Sequence, residues 1–430
     1  MKEMLAGRVR WWVFGALIAP ITFVMSLDRT AMSVAAPIIQ KQYDFSLGEM
    51  SLILTSFLWT YALMQVAGGW LAERTGPRKA LLWANLLWSV LTILTPFGRG
   101  LGSFVVIRGL LGVGQAADLP SSILALRRWF PERERGRGNS FLLCALYLGP
   151  MAGPPLTVFI ATTFGWQSAF YIYGIVGVLL GLLWWWGFRD NPRHHPLMTS
   201  EEATHIEAGR GADPPAQKPG ELWWCVTTGR CWAIGMQYFL LVLIQSFFLT
   251  WLPTYLVQER HLSLGSMGIL ASLPALSLFL TAFFAGLLSD AVLNRTRSIW
   301  LARVPCAVAA FIISAAGLIL AAQTPSVPLM ITLMCVSLFG TGLGQVSTWL
   351  SVQDLGQSST GVVAGWTNFL GSAGSASGPL ITAWLVGWTG SWSTSLLAIG
   401  LAGVCGAVLW LFIHPEQPLE VEARPAVVTP

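Results

Sequence analysis

Long apolar runs recur along this chain and constrain its fold more than any other feature. Each has about the 20 residues that an α-helix needs to cross the hydrocarbon core of a bilayer. The runs begin near Trp11, Met50, Ala80, Ser103, Asn139, Ser168, Cys231, Gly265, Ile299, Pro328, Gly361 and Trp392. Only 10% of the residues are charged and the mean hydropathy is +0.62, which is far more apolar than an ordinary globular domain. The sequence therefore predicts an all-α membrane protein with twelve transmembrane helices.

The first run follows basic residues and could be mistaken for a secretory signal. It is too long for one, it contains Asp28 and Arg29, and it reaches Pro37 without a convincing cleavage site. We therefore predict an uncleaved first span. The six cysteines show no paired spacing and the five histidines fall in predicted loops. Neither a disulfide framework nor a metal site is expected, and no cofactor is implied.

Basic residues are distributed unequally between the predicted loops. Of the 25 lysines and arginines, only Lys41, Arg99 and Arg260 lie in loops that follow odd-numbered spans. Cytoplasmic loops carry the excess of Lys and Arg, so we predict an integral plasma membrane protein, of the bacterial inner membrane, with both termini cytoplasmic. The net charge of +5 then reflects the excess of Lys and Arg in cytoplasmic loops, and no nucleic-acid partner is expected.

A long polar stretch, rich in charge, Pro and Gly, divides the spans into six and six. One short helix is predicted within it, around Ser200 to Ala208. The predicted organisation is an N-terminal six-helix bundle (1–188), a cytoplasmic linker (189–230), a C-terminal six-helix bundle (231–413) and a cytoplasmic tail (414–430).

Two similar loops indicate that the halves are repeats. GGWLAERTGPRKA follows span two and AGLLSDAVLNRTR follows span eight. At one constant offset the matched pairs are Gly69 with Gly286, Leu71 with Leu288, Glu73 with Asp290, and Arg78 with Arg295. Because six spans separate two loops on the same side, the repeats are predicted to be parallel. Proteins of this build usually bind their ligand between the halves, near the middle of the bilayer.

The loop after span two resembles the signature of the major facilitator superfamily. The residues that carry the resemblance are Gly69, Leu71, Glu73, Arg74, Gly76, Arg78 and Lys79, with Glu73 where Asp is commoner. A carboxylate at a helix N-terminus beside arginines forms a charge network that can hold the halves shut on the cytoplasmic side. We therefore predict gating roles for Glu73, Arg74, Arg78, Asp290 and Arg295.

Asp28 and Arg29 place two charges within the first span. A charge near the centre of a transmembrane helix costs about 2.5 to 3.5 kcal/mol on insertion scales, so such groups usually face a water-filled cavity and mark a substrate or ion path. Adjacent helix positions point about 100° apart, so the two side chains must find partners on different helices. Alternatively, the Arg29 side chain extends outward to the lipid headgroups. That interpretation does not explain why Asp28 lies within the span.

Arg108, in VVIRGLLGVGQAADLP of span four, is the second buried cation. Guanidinium groups bind carboxylate or phosphate oxygens in a fork. Arginines from spans one and four therefore predict a cavity suited to an anion. Alternatively, Arg108 is a structural residue bonded to backbone carbonyls.

Several segments in order resemble the anion:cation symporter family of this superfamily. They include YALMQVAGGWLAERTGPRK, RGLLGVGQAADLPSSILALRRWFPERERGRGNS and FFLTWLPTYLVQERHLSLGSMGILASLP. Members of that family include proton-coupled carriers of galactonate, glucarate, hexuronates and phthalates. The resemblance implies that Arg29 and Arg108 meet the substrate carboxylate, that Tyr61 and Asn368 line the cavity, and that Asp28 takes part in proton coupling.

One position departs from the family pattern. A glutamate usually follows the span-four arginine by seven residues, and here that residue is Gln115, on the same helix face as Arg108. An amide does not titrate. Either Asp28 carries the proton alone, or Asp118 substitutes from three residues further along the helix, or proton coupling is lost. Alternatively, Asp118 pairs with Arg127 or Arg128 near the membrane surface.

The sequence thus predicts a transporter that imports a small organic anion, a sugar acid or another carboxylate, by alternating access and with proton symport. Its predicted substrate-binding residues are Arg29, Arg108, Tyr61, Gln115, Asn368 and Tyr238, the last a polar group at lipid depth in span seven. The predicted partners are the anion, protons and membrane lipid, and the protein is predicted to be a monomer. The main rival is a multidrug or metabolite exporter of the same fold. GPMAGPP in span five (Gly149 to Pro155) resembles the motif of drug exporters and favours it, whereas the buried arginines disfavour it. The sequence contains no H-E-x-x-H or G-x-S-x-G motif and no paired carboxylates within one predicted span, so an enzyme is not predicted.

Overall fold

The computed structural model of this protein describes residues 8–209, 225–356 and 360–417, and these residues form helices without a strand among them. The elements of the first half are α1 (Val9–Val13), a π-helical turn (Phe14–Ile18), α2 (Ala19–Tyr43), α3 (Leu47–Thr75), α4 (Pro77–Leu94), a 3-10 turn (Thr95–Phe97), α5 (Leu101–Gln115), α6 (Asp118–Trp129), α7 (Glu132–Phe164) and α8 (Trp166–Gly187).

The remaining elements follow the same pattern of long helices joined by short loops. They are a 3-10 turn (Pro192–His194), α9 (Ser200–Ala208), α10 (Gly229–Thr250), α11 (Leu252–Gln258), α12 (Leu264–Thr296), α13 (Ile299–Gln323), α14 (Val327–Gly356), α15 (Thr360–Thr389) and α16 (Trp392–Trp410). Linker residues 210–224 and the predicted tail beyond residue 417 lie outside the described residues.

Among the described residues, 11 helical stretches are long and apolar enough to cross a membrane. The remaining predicted span, near Gly361, forms α15. Its middle is rich in glycine and serine, which makes it less apolar than the 11 stretches. The predicted all-α membrane fold is confirmed.

Local signals in the sequence explain where several helices begin and end. Ser46 and Glu49 form a capping box at the start of α3, in which each side chain accepts a hydrogen bond from the other residue's backbone N–H. The preceding helix ends at Tyr43, and Asp44 follows it with a left-handed φ of 55°. Asp and Asn tolerate this conformation better than most residues other than glycine.

The chain forms two compact units. The first contains residues 1–213, 247–275 and 379–388, and the second contains residues 214–246, 276–378 and 389–430. The predicted bundle boundaries at residues 188 and 231 stay a prediction.

In the first unit the spans pack in pairs. Span one packs most extensively on span five, span two on span four, and span three on span six. Glycines make the first pairing close, since a Cβ atom at Gly149 would lie 2.3 Å from Ser26 Cβ and one at Gly153 would lie 2.8 Å from Thr30 Cγ2. The GPMAGPP segment thus brings span five against the part of span one that carries Asp28 and Arg29.

A buried cluster of charges joins α9 to the start of the first span. The carboxylate of Glu202 accepts hydrogen bonds from the backbone N–H groups of Val9 and Arg10, at 3.1 and 3.2 Å. N–H groups in the first turn of a helix have no partner within it, so Glu202 caps this one. The Arg10 guanidinium also forms salt bridges with Glu202 (2.8 Å) and Glu134 (2.9 Å). The predicted linker helix is confirmed, and one of its faces is buried.

Glu134 lies between two basic side chains of this cluster, before the apolar part of its helix. Partial burial opposes its ionisation, but hydrogen bonds with Arg10 and His205 outweigh that effect and lower the pKa of Glu134 below its usual value. Its contribution to stability is therefore present above the ordinary pKa of a glutamate and is lost as the pH falls through the lowered pKa.

In the second unit α13 packs on both α14 and α16. Close approach again depends on glycine, because a Cβ atom at Gly340 would lie 2.6 Å from the carbonyl oxygen of Ala310. A salt bridge of 2.9 Å between Arg303 and Asp354 adds a polar link between α13 and α14.

Candidate substrate site in the first unit

Two arginine side chains from different spans lie against one aromatic ring. Arg108 Cζ, on α5, is 4.8 Å from the centroid of the Phe57 ring on α3. Arg29 Cζ, on α2, is 5.3 Å from the same centroid and 4.3 Å from that of Tyr61. Phe57 and Tyr61 stack with their centroids 5.9 Å apart. Three spans thus bring both predicted cations to one aromatic pair, to which cation–π attraction helps to hold them.

Asp28 is fully buried beside these cations, and both of its oxygens accept hydrogen bonds. Thr92 Oγ1 on α4 donates to Asp28 Oδ1 at 3.0 Å, and Gln115 Nε2 on α5 donates to Asp28 Oδ2 at 3.0 Å. The other end of the same amide, Gln115 Oε1, accepts from Arg29 Nε at 2.7 Å. As expected for adjacent helix positions, Asp28 and Arg29 have hydrogen-bond partners on other helices. The Gln115 side chain bonds both residues and so connects Asp28 with Arg29.

Arg108 is only 2% exposed, yet its Nε and Nη1 atoms have no hydrogen-bond partner among the described residues. A guanidinium group carries five N–H donors and no acceptor, and a buried donor without a partner is costly. Neither Arg29 nor Arg108 forms a salt bridge within the part of the chain that the structure describes. The first unit therefore presents two cations near Asp28, whose carboxylate is already hydrogen-bonded on both oxygens, and Arg29 also interacts electrostatically with the buried Asp118.

Close packing of spans two and four sets the position of Arg108. A Cβ atom at Gly112 would lie 2.2 Å from Thr60 Oγ1 and 2.4 Å from the carbonyl oxygen of Phe57. The backbone of α5 therefore approaches α3 about one helical turn after Arg108. This approach places the guanidinium group over the Phe57 ring.

We expect Gly112→Ala to destabilise the protein by about 1 to 3 kcal/mol, because the new methyl group would force the backbones of two spans apart. The matched control is Gly109→Ala on the same helix, where the nearest atom to an added Cβ is Thr60 Cγ2 at an ordinary 3.7 Å. That change should be neutral or slightly stabilising, since alanine restricts the unfolded chain more than glycine. Thermal unfolding of both purified variants measures the difference. Equal melting temperatures would contradict the packing argument.

Asp118 is fully buried, and neither of its carboxylate oxygens has a hydrogen-bond partner among the described residues. The pairing with Arg127 or Arg128 is therefore not observed. A turn at Ala116 and Ala117 separates α5 from α6, so Asp118 is the first residue of a new helix. Asp118 interacts electrostatically with Arg29, and its predicted reach to the cavity stays a prediction. A carboxylate in the first turn of a helix interacts favourably with the helix dipole.

The other predicted binding residues of the C-terminal half lie in the second unit. Tyr238 on α10 is buried, and its hydroxyl accepts a hydrogen bond from Gln345 Nε2 at 3.5 Å. Gln345 Oε1 in turn accepts from Gln245 Nε2 at 3.2 Å. A Cβ atom at Gly371 would lie 2.4 Å from the Tyr238 ring, so this glycine makes room for it. Asn368 is half-buried on α15.

The predicted gating residues of the first loop contact tryptophan rings or lie exposed. Arg78 Nε and Nη2 donate to the carbonyl oxygen of Trp185, at 3.1 and 2.6 Å, and its Cζ lies 4.1 Å from the centroid of that ring. Glu73 is exposed, and Arg74 is exposed with its Cζ 5.1 Å from the Trp70 ring.

The repeated loop of the second half is described less fully. Arg295 is exposed at the end of α12. The side chain of Asp290 lies outside the part of the chain that the structure describes. The gating roles of both residues stay a prediction.

Asp190 joins this loop network, although no pattern in the sequence indicates it. Its Oδ1 accepts hydrogen bonds from the backbone N–H of Arg78 at 3.0 Å and from Arg128 Nη1 at 3.3 Å. Gly76 has a left-handed φ of 83°, and a Cβ atom there would lie 2.8 Å from an Asp190 oxygen. The glycine of the loop signature is therefore required by both its backbone conformation and the approach of Asp190.

Phe57 and Thr92 are the site residues that the sequence analysis missed. Phe57 precedes Tyr61 by four residues and so shares its helix face, which is a signal that was present in the sequence. Thr92 carries no comparable signal, because threonine is common in membrane helices and its partner lies on another span. No group of three or more His, Cys, Asp or Glu side chains that could hold a metal ion occurs in the part of the chain that the structure describes.

Comparison with known proteins places these features in a family. The profile described as Major Facilitator Superfamily matches residues 18–379. The chain is 31% identical to the "Probable galactarate/D-glucarate transporter GarP" of Escherichia coli (strain K12), over 92% of this chain and 93% of that protein. It is 30% identical to the "Probable sulfoacetate transporter SauU" of Cupriavidus necator, over 96% of each.

A solved structure shares the fold at much lower sequence identity. The crystal structure of a bacterial homologue of the human lysosomal transporter Spinster, inward-facing and unoccupied, superposes with a TM-score of 0.71. The match covers 94% of this chain and 95% of that one, with 16% sequence identity.

Proposed function

Because the chain belongs to the Major Facilitator Superfamily, we propose that it imports a small organic anion, a sugar acid or another carboxylate, by alternating access and with proton symport. One observation carries the proposal: Arg29 and Arg108 lie against the same Phe57 ring, and Arg108 has buried N–H donors without an acceptor among the described residues. A carboxylate supplies two acceptor oxygens in the geometry that a guanidinium fork binds.

The named relatives support an anionic substrate. GarP is named for galactarate and D-glucarate, and SauU for sulfoacetate. These compounds share an anionic carboxylate, and they differ in the rest of the molecule. The proposed common feature of the substrate is therefore the carboxylate, which the arginine pair would bind. The proposed contacts to the remainder of the substrate come from Tyr61, Gln115, Tyr238 and Asn368.

Asp28 is the proposed proton carrier. In the proposed cycle Arg29 and Arg108 bind the carboxylate, protonation of Asp28 offsets the added negative charge, and the charge-balanced site then reorients. An unbalanced site reorients slowly, because its closure removes net charge from water. Asp118, buried and without a hydrogen-bond partner among the described residues, is the proposed second carboxyl of the coupling machinery.

The remaining parts of the proposal concern location and gating. The protein is a monomer in the plasma membrane, of the bacterial inner-membrane type, with both termini cytoplasmic, as the distribution of Lys and Arg favours. The loops around Glu73, Arg74 and Arg78, and around Asp290 and Arg295, close the cytoplasmic side during the cycle.

A binding panel tests the substrate class. We expect D-galactonate, D-glucarate, galactarate or sulfoacetate to raise the melting temperature of the purified protein, because a ligand that binds only the folded state stabilises it. The uncharged galactose and a lipophilic cation are the controls and should have no effect. Stabilisation by the cation alone would contradict the proposal and favour a drug exporter.

A second candidate is an anion exchanger without proton coupling. Gln115 favours it, because the position next to Asp28 and Arg29 holds an amide that cannot titrate. The exchanger and the symporter differ in whether a proton gradient drives accumulation.

A further inference from the structure

The hydrogen bonds around Asp28 distinguish its two carboxyl oxygens. Oδ2 accepts from an amide, Gln115 Nε2, whereas Oδ1 accepts from a hydroxyl, Thr92 Oγ1, each at 3.0 Å. An amide nitrogen can only donate, but a hydroxyl can both donate and accept. The two oxygens are therefore not equivalent sites for a proton.

The orientation of the Gln115 amide follows from its second partner. Arg29 Nε lies 2.7 Å from Gln115 Oε1, and a guanidinium group has donors only. The atom of Gln115 that faces Arg29 must therefore be the carbonyl oxygen, and the NH2 group must face Asp28. A proton on Asp28 Oδ2 would point at this NH2 group, so Oδ2 stays an acceptor while Arg29 is in place.

Thr92 has two possible acceptors for its single hydroxyl hydrogen. Its Oγ1 lies 3.0 Å from Asp28 Oδ1 and 2.8 Å from the carbonyl oxygen of Trp88, one helical turn earlier. When the hydrogen points to Trp88, the hydroxyl oxygen is free to accept a hydrogen bond from a protonated Oδ1. The same residue can thus satisfy both protonation states of Asp28 without moving its side chain.

We propose that Asp28 takes up its proton on Oδ1 and that Thr92 is the positioning residue, whose hydroxyl oxygen accepts a hydrogen bond from the protonated carboxyl group. In this step an O–H bond of a hydronium ion breaks, an O–H bond forms on Asp28 Oδ1, and a neutral water molecule is left. The Thr92 hydroxyl turns its hydrogen from Asp28 to the Trp88 carbonyl and accepts from the new O–H group. Gln115 keeps its bonds to Oδ2 and to Arg29. This inference rests on the proposed role of Asp28 in proton coupling.

The other groups around Asp28 do not accept a hydrogen bond from a protonated Oδ1. Arg29 and Arg108 act on its carboxyl group electrostatically and carry donors only. Tyr173 on α8 also interacts with Asp28 electrostatically, but its hydroxyl shares a hydrogen bond of 2.9 Å with Thr157. Among the described residues, Thr92 is the group with an acceptor atom at Oδ1.

Infrared difference spectroscopy of the full chain, reconstituted in lipid and titrated with acid, tests the inference without any substrate. We expect a protonated-carboxyl band that Asp28→Asn removes. In Thr92→Val this band should move to higher wavenumber, because the carboxyl O–H has lost its acceptor. Its midpoint should rise by roughly half to one pH unit, since a hydrogen bond to a charged group is stronger than one between neutral groups.

Two variants separate this role from packing. Thr92→Ser keeps the hydroxyl and should give the wild-type band. Thr95→Val removes a neighbouring buried hydroxyl that donates to the Leu91 carbonyl at 3.0 Å, and it should also leave the band unchanged. If Thr92→Val does not reconstitute, Thr92→Ala removes the same hydroxyl without adding a methyl group and carries the same expectation.

An unshifted band in the Thr92 variants, or an equal shift in Thr95→Val, would overturn the inference. Absence of any Asp28-dependent band in the wild type would overturn it together with the proposed proton carrier. Neither result bears on anion binding, because the melting-temperature panel measures that separately. Failure of the inference and failure of the proposed substrate class are therefore distinguishable.

Discussion

Replacing Arg108 by alanine should abolish anion uptake into proteoliposomes. Truncation of a buried, hydrogen-bonded charge that meets an oppositely charged ligand costs on the order of 2 to 5 kcal/mol, which corresponds to a loss of roughly 30-fold to several thousand-fold. Arg108 is buried, its guanidinium group lies against Phe57 and interacts electrostatically with Asp28 and Arg29, and its Nε and Nη1 atoms have no hydrogen-bond acceptor among the described residues. Initial rates with the anion selected by the binding panel provide the measurement.

Two further variants sharpen this test. Arg108→Lys keeps the charge but loses the planar fork, so it should retain only part of the uptake. Arg99→Ala removes one positive charge from an exposed loop position, and it should leave uptake near the wild-type rate. A cost of about 2 kcal/mol or more implies that Arg108→Ala keeps at most about a thirtieth of the wild-type rate. If the variant kept more than about a tenth of that rate, the anion would bind elsewhere.

Asp28→Asn should separate exchange from accumulation. Asparagine keeps the size of the side chain and can still accept from Thr92 or Gln115, but it cannot gain or lose a proton. Liposomes loaded with unlabelled anion should therefore still exchange it for labelled anion. Liposomes with an imposed proton gradient should no longer concentrate the anion, whereas wild-type liposomes should.

Asp44→Asn is the matched control for this variant. It makes the same chemical change at an exposed position whose left-handed φ of 55° asparagine also tolerates. Accumulation should persist in this control. Gradient-driven accumulation by Asp28→Asn would refute the coupling role and leave Asp118, a buried carboxyl without a hydrogen-bond partner among the described residues, as the next group to examine. Absence of gradient-driven accumulation in the wild type would favour the exchanger.

The architecture could be predicted from the sequence because each long apolar run has few alternatives in a bilayer. The all-α membrane fold, the short helix from Ser200 to Ala208 and the membership of the superfamily are confirmed, and with them the expectation of a transporter rather than an enzyme. Eleven of the twelve predicted spans are long and apolar enough to cross a membrane among the described residues. The exception is α15, where small residues reduce the apolar character that the other spans show.

The charged residues of the site could also be selected from the sequence, because charges within membrane spans are rare and usually mark a functional site. What the sequence does not contain is the set of contacts between spans. Gln115 was singled out as a departure from the family, but its position between Asp28 and Arg29 depends on how spans one and four pack. The break at Ala116 and Ala117 was missed, because neither alanine signals the end of a helix.

The amide at position 115 also bears on the electrical character of transport. If Asp28 alone carries a proton in each turnover, a singly charged anion crosses with no net charge, and the membrane potential neither drives nor resists it. A doubly charged sugar acid taken through the same cycle carries one negative charge inward and works against the resting voltage of a cell. Gln115 would thus bias this carrier, through voltage rather than through contacts, toward substrates with a single negative charge.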